Sequence, residues 1–166
     1  NRVVGIFFPK DLGDAMAGRV RFLDESHSVI FADKGIQFFS TRVETSPELV
    51  SQIPIEENIR SISYAQDKVG IVTDNVEGGD PYRLRIYDRE GSPVFEKTFN
   101  YQYTGFDIDG DLILLYNDSS CKVYNMTGTE KYNGTFDFTV SKVSAGRFPG
   151  TLLVMGPQKM TEIKLQ

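Results

Sequence analysis

The chain repeats one stretch of itself at a fixed spacing, and no other feature constrains its fold as much. Arg85 to Phe99 lines up without a gap on Lys122 to Phe136. Tyr87 falls on Tyr124, Asp88 on Asn125, Gly91 on Gly128, Phe95 on Tyr132, Thr98 on Thr135 and Phe99 on Phe136. Every pair stands 37 residues apart (124 − 87, 136 − 99). A period of roughly 20–50 residues marks a repeat architecture, in which one supersecondary unit relies on its neighbours to cover its apolar faces.

The unit that repeats is made of strands. Apolar runs are short, rich in Val, Ile, Phe and Tyr, and broken by Gly, Asp and Asn, which is the all-β pattern. The 12 Phe and 8 Tyr, with no Trp, suit pleated faces. Strands are predicted at 3–8, 19–23, 28–32, 36–41, 59–65, 69–73, 83–87, 94–99, 105–108, 112–116, 122–124, 131–135, 140–143, 152–155 and 161–165. Asp11–Ala17 reads as a short helical turn. Thr45–Glu57 holds Pro47 and Pro54, so it reads as a connection or at best an edge strand. Gly35, Gly91, Gly110 and Gly128 close tight turns that call for positive φ.

Grouped on those turns, the chain divides into units at 18–55, 59–100, 104–137 and 140–166, each of about four strands. The last shows three, and the strand at 3–8 is expected to complete a blade. Four-stranded units of this length, ending in a Gly turn and an aromatic strand, are what β-propeller blades look like. The fold class is therefore all-β and β-propeller-like, either a small closed ring or half of a larger one. A half-ring would expose two apolar blade faces and should associate with a second copy. Val69–Val72 aligns with Leu112–Leu115 at a spacing of 43 rather than 37, which places an acidic six-residue insertion in the loop from Asn75 to Pro81.

Charge and composition exclude several functions. A net charge of −5 argues against a nucleic-acid groove, which needs clustered Lys and Arg, and against anionic membrane surfaces. The single Cys121 forms no internal disulfide and reads as a buried, inert thiol. No apolar run reaches the roughly 18 residues that span a bilayer, and the opening residues do not read as a signal peptide. The opening from Asn1 onto apolar Val3–Phe8 reads as a cut inside a longer protein.

Candidate chemistry is sparse. Asp107, Asp109 and Asp111 alternate around a Gly, as calcium ligands do, but the closing Glu of a twelve-residue calcium loop is missing. The plainer reading is a hairpin turn with solvated acids. His27, the only histidine, sits in a polar stretch and reads as a solvent-exposed turn residue. The inserted loop, with Glu77 and Asp80, reads equally as a candidate binding loop on a rigid sheet and as a tolerated insertion. Tyr101 and Tyr103 are candidates to stack on a sugar or peptide, or else they cap the core between blades. No cofactor motif is present, since the Gly-rich loop lacks the Lys-Ser/Thr of a phosphate cradle.

Three stretches carry a resemblance. They are Ile59–Ile62 through Tyr82–Asp88, the run from Tyr101 to Phe106, and the ending Thr161–Leu165. Together they resemble the C-terminal half of an uncharacterised clostridial, Gram-positive family of membrane-anchored proteins with an extracellular β-propeller-like domain of unknown function. The resemblance implies a location on the outer face of the cell membrane, with the anchor outside this chain. It carries over no catalytic residue.

The expected function is a non-enzymatic, extracytoplasmic interaction or sensing module that binds a protein or a cell-wall glycan. The lack of any converging His, Cys or acid constellation favours it. The alternatives are a glycan-processing hydrolase or lyase with acids converging at the propeller axis, and a purely structural spacer.

Overall fold

The computed structural model describes residues 17–32, 35–41, 47–65 and 67–165. The strand expected at 3–8, the helical turn expected from Asp11, and the turn residues Asp33 and Lys34 lie outside them. Among the described residues the fold is all-β and β-propeller-like, four antiparallel meanders without helices. Sheet 1 runs β1 (Ala17–Phe22), β2 (His27–Ala32), β3 (Gly35–Ser40), β4 (Glu48–Pro54). Sheet 2 runs β5 (Ile59–Tyr64), β6 (Lys68–Asp74), β7 (Tyr82–Asp88), β8 (Pro93–Phe99). Sheet 3 runs β9 (Gly105–Asp109), β10 (Leu112–Tyr116), β11 (Ser120–Asn125), β12 (Glu130–Thr135). Sheet 4 has three strands, β13 (Lys142–Ala145), β14 (Thr151–Met155) and β15 (Met160–Lys164). The segment with two prolines holds an edge strand, β4, and Pro54 falls on its last residue, where a missing N–H breaks no inner ladder.

The sheets stack in series because their middle strands are apolar on both faces. Along β6, Val69 and Ile71 join the core shared with sheet 1, while Val72 joins the core shared with sheet 3. Along β10, Ile113 and Leu115 face sheet 2 while Leu114 and Tyr116 face sheet 4. Gly70 allows the close approach of sheet 3, since a Cβ there would lie 2.6 Å from Ile108 Cδ1 and 2.8 Å from Phe106 Cζ. The first strands β5, β9 and β13 adjoin one another, and the fourth strands lie outermost with mostly exposed residues.

Three cores join sheets 1–2, 2–3 and 3–4, and none joins sheet 4 back to sheet 1 among the described residues. The described residues therefore form an open arc. On β14 burial alternates, with Leu152 and Val154 packed on sheet 3 and Leu153 and Met155 only half-buried on the other face.

The 37-residue repeat is one turn built twice. Asp88 Oδ1 accepts from the backbone amides of Glu90 (2.9 Å) and Ser92 (2.8 Å). Asn125 Oδ1 accepts from those of Thr127 (3.1 Å) and Thr129 (2.9 Å). Gly91 and Gly128 then sit at φ 86° and 85°, each donating its N–H to the carbonyl of the Asp or Asn. The paired tyrosines, Tyr87 and Tyr124, are both buried, one in the core of sheets 1–2 and the other in that of sheets 2–3.

Cys121 is buried in the core of sheets 3 and 4, where burial pushes its thiol pKa up to about 12. The expected inert thiol is what the fold provides. Native protein at pH 8 is expected to resist alkylation by iodoacetamide for hours and to react fully in denaturant. Mass spectrometry reads the difference, and rapid native labelling would contradict the packing.

Candidate interaction surfaces

Successive connections in a meander alternate ends. The β1–β2, β5–β6, β7–β8, β9–β10 and β13–β14 turns thus lie at one end, and the β6–β7, β8–β9 and β10–β11 connections at the other.

The second end carries the binding residues expected from the sequence. The β6–β7 loop is tied to itself, because Asn75 Nδ2 donates to the carbonyls of Gly78 (3.0 Å) and Asp80 (2.8 Å). Glu77 receives both terminal nitrogens of Arg83 at 3.2 Å, and Arg83 Nε donates to Glu96 at 2.6 Å. Asp80 accepts from Thr98 Oγ1 at 3.2 Å. Val76 is left at the surface, 75% exposed. Tyr103 donates to or accepts from Ser61 at 2.8 Å and sets its ring edge-on to Tyr82 at 5.6 Å. Tyr101 hydrogen-bonds Ser120 Oγ at 2.8 Å, with Lys122 over its ring at 5.8 Å. Glu77, Asp80, Tyr101 and Tyr103 therefore share one end of the arc. The two tyrosine hydroxyls are turned inward, tying the β8–β9 connection to β5 and β11.

Nearby, Glu57 links the passage between sheets 1 and 2 to β7 through Arg85, at 3.1 Å. Burial alone would raise the Glu57 carboxyl, but its own backbone amide and the Arg85 guanidinium hold it below its ordinary value.

The first end holds what the sequence did not reveal. A cleft of about 440 Å³ is lined by Asp24, Asp67, Lys68, Arg89, Gly110 and Asp111. Arg89 Nη1 reaches Asp24 at 3.3 Å, bridging sheets 2 and 1. Lys68 Nζ lies 2.6 Å from Asp67 and 3.9 Å from Asp111, bridging sheets 2 and 3. The only sequence signal was positional, in that Asp24, Asp67 and Asp111 each stand in the first hairpin turn of a sheet.

His27 is not the exposed turn residue expected from its polar neighbours. It opens β2 and is buried, 5% exposed, with Nδ1 donating to the Asp24 carboxylate at 2.9 Å. Asp24 also accepts from the backbone amides of Ser26 (2.7 Å) and His27 (2.8 Å). Burial would raise the Asp24 carboxyl, but the Ser26 amide and the His27 ring hold it far below its ordinary value. A depressed folded-state pKa gives stability that is present above the ordinary carboxylate value near 4 and lost as pH falls below it. Asp24→Asn is expected to lower stability by about 1–3 kcal/mol at pH 7 and to flatten the acid limb of the melting profile. Melting curves from pH 7 to pH 3 check this, and equal acid sensitivity in both proteins would contradict it.

The acids at 107 and 109 are not simply solvated, as a plain hairpin would leave them. Asp107 accepts from Tyr116 OH at 3.0 Å and pairs with Lys142, while Asp109 accepts from the Ala145 amide at 2.8 Å. They join β9 to β13. Asp111 is the solvated one. No group of three metal-ligating side chains occurs among the described residues.

No helix among the described residues is long and apolar enough to cross a membrane. No curated protein matches the chain. Among solved structures it is similar to BBS1N in complex with ARL6DN, at TM-score 0.53 and 10% identity, over 92% of this chain and 52% of that one. It is similar to a functionally unknown protein of Desulfotomaculum acetoxidans, at TM-score 0.51 and 14% identity, over 92% of this chain and 56% of that one. It is also similar to Kluyveromyces lactis Hsv2, at TM-score 0.50 and 10% identity, over 92% of this chain and 46% of that one. Propeller-type folds are what these likenesses share, and at such identities they bear on the fold alone. The chain spans about half the length of each. The model of one family matches residues 1–165, and the chain accordingly belongs to that family, a family of unknown function (DUF5711).

Proposed function

We propose that this chain is a non-enzymatic interaction module that docks a protein partner, displayed on the outer face of the cell membrane by an anchor elsewhere in the full protein. One observation carries the reading. Charged groups at both ends of the arc pair with one another: Asp24 with His27 and Arg89, Lys68 with Asp67, Arg83 with Glu77 and Glu96. Ion pairs of this kind make a shaped, charged surface of the sort that steers and registers a protein partner. The self-tied β6–β7 loop adds a second preorganised feature, because a loop fixed before binding loses little entropy on binding. BBS1N, of similar fold, was solved in complex with ARL6DN, which supports a propeller-type scaffold as a platform for protein contact.

A ligand panel tests the reading. The protein is incubated with cell-wall glycan fragments and with Ca²⁺ or Mg²⁺, and both melting temperature and glycan products are followed. No product and no saturable stabilisation are expected. A saturable rise with a glycan would make the partner a glycan, and released product would overturn the non-enzymatic reading. Self-association through the half-buried face of Leu153 and Met155 belongs to the same proposal, and sedimentation equilibrium measures it.

A further inference from the structure

Sheet 4 ends on a strand unlike the other outer strands. β4, β8 and β12 each carry one extra residue opposite the neighbouring strand, at Val50, Val94 and Lys131. In addition, β4 ends and β8 begins on a proline. Bulges and prolines of this kind blunt a sheet edge against pairing with another chain. β15 has neither. Its pairing with β14 runs from Met160 to Lys164 without a register shift. Among the described residues no strand lies on its other side.

The register tells which backbone groups face that open side. Leu165 donates its N–H to the Gly150 carbonyl and Gly156 donates to that of Lys159, and both pairs continue the β14–β15 alignment. Hydrogen-bonded and non-bonded pairs alternate in an antiparallel ladder, so Thr161 and Ile163 turn their amides and carbonyls toward β14. Met160, Glu162 and Lys164 turn theirs outward. An incoming strand has to set its own outward residues opposite these.

Such an edge takes an extended polypeptide backbone, and the charges of β15 select a second copy of β15 itself. An antiparallel copy centred on Ile163 sets Glu162 of each protomer opposite Lys164 of the other. Both residues are exposed and both have outward backbone groups, so each of the two pairs exchanges two ladder hydrogen bonds. Opposite charges directly across a pair of strands stabilise it and like charges destabilise it. A centre on Glu162 or on Lys164 would set like charges face to face. A centre on Thr161 would run Lys164 past the end of the facing strand into its β14–β15 turn. The Ile163 register also sets Ile163 against Ile163 and Thr161 against Leu165. That covers Ile163 and Leu165, which are only partly buried at the rim of the core of sheets 3 and 4.

We propose that two copies of this chain pair β15 to β15 across a twofold axis at Ile163, joining two three-stranded sheets into one of six strands. Thr151 Oγ1 donates to Glu162 Oε1 at 2.8 Å, and Oε2 takes the Lys164 ammonium of the second copy. The inference goes beyond the docking of a different protein. It leaves the face of Leu153 and Met155 uncovered, so the two contacts fail independently.

Sedimentation velocity on the purified chain over a broad concentration range tests the proposal. One strand from each side is a small interface, so a weak, concentration-dependent dimer is expected. Lys164→Pro removes an outward amide without touching the β14 ladder and should weaken association at least tenfold. Glu162→Lys and Lys164→Glu should each be monomeric alone, because like charges then face each other across the axis. Mixed one to one, these two variants should form a heterodimer at least as tight as the wild-type dimer. Both positions are exposed, so each variant should keep the wild-type melting temperature at low concentration. A wild-type monomer at every concentration overturns the proposal, as does a dimer that both charge variants leave intact. Dissociation by Leu153→Asp alone would place the contact on the face of sheet 4, overturning the edge while leaving the interaction-module reading intact.

Discussion

Replacing Phe38 with alanine is expected to lower stability by about 3–5 kcal/mol. Phe38 lies in the middle of β3 with no exposed surface, and its ring packs 6.2 Å from that of Tyr87 across the junction of sheets 1 and 2. The opposite wall has little room to collapse into the void. A Cβ on Gly91 would already sit 2.7 Å from Phe38 Cδ2, so that turn is packed directly on the ring. Domains have about 5–15 kcal/mol in total, so a loss of this size removes a large share. Sheet 1 should undock before the rest, because Phe38 belongs to the one core that joins it to sheet 2. Urea unfolding followed by tyrosine fluorescence measures the loss. Phe22→Ala, on an exposed position of β1, is the control and should stay within about 0.5 kcal/mol. A Phe38→Ala cost under about 1 kcal/mol would show that the two sheets are not packed as described.

Gly105→Ala is expected to cost about 1–3 kcal/mol although it adds only a methyl group. A Cβ there would lie 2.2 Å from Tyr116 Cζ. The ring cannot easily swing away. Its hydroxyl donates to Asp107 at 3.0 Å, and Lys142 lies over it at 5.9 Å. The clash therefore falls on the contact that joins β9 to β13. A double-mutant cycle isolates the cause. In a Tyr116→Ala background the same Gly105→Ala change should cost almost nothing, and additive effects would rule out the clash.

The sequence showed the parts of the fold that are set by neighbours along the chain. Asp88-Arg89-Glu90-Gly91 and Asn125-Met126-Thr127-Gly128 encode the same turn, because a short side chain accepts from amides two and four residues on and Gly takes the positive φ. The apolar run at 112–116 reads as a strand, and β10 is one, buried on both faces. The segment holding β4 was harder to read. Its outward residues are mostly exposed, so it lacks a clean alternation, and two prolines argued against a full strand. The burial of His27 was missed for a related reason. Its neighbours are polar, yet they fold over it as hydrogen-bond partners.

The candidate site was only half legible. Glu77 and Asp80 stood out because an insertion breaks the repeat, and that break is visible in one dimension. Tyr101 and Tyr103 stood out as an aromatic run, but only packing shows that their hydroxyls tie connections to Ser120 and Ser61. The mixed-charge cleft was invisible. It is assembled from turns of three sheets, and no local pattern relates Asp24 to Arg89 or Lys68 to Asp111.

By itself, then, the sequence determined the repeating antiparallel unit, since strand period, turn chemistry and hairpin register are local properties of the chain. Among the described residues, the tertiary structure decided which faces meet, that three cores join four sheets in an open arc, and which charges gather at its turn end. Those outcomes depend on contacts between residues far apart in sequence, which form only once whole sheets have packed.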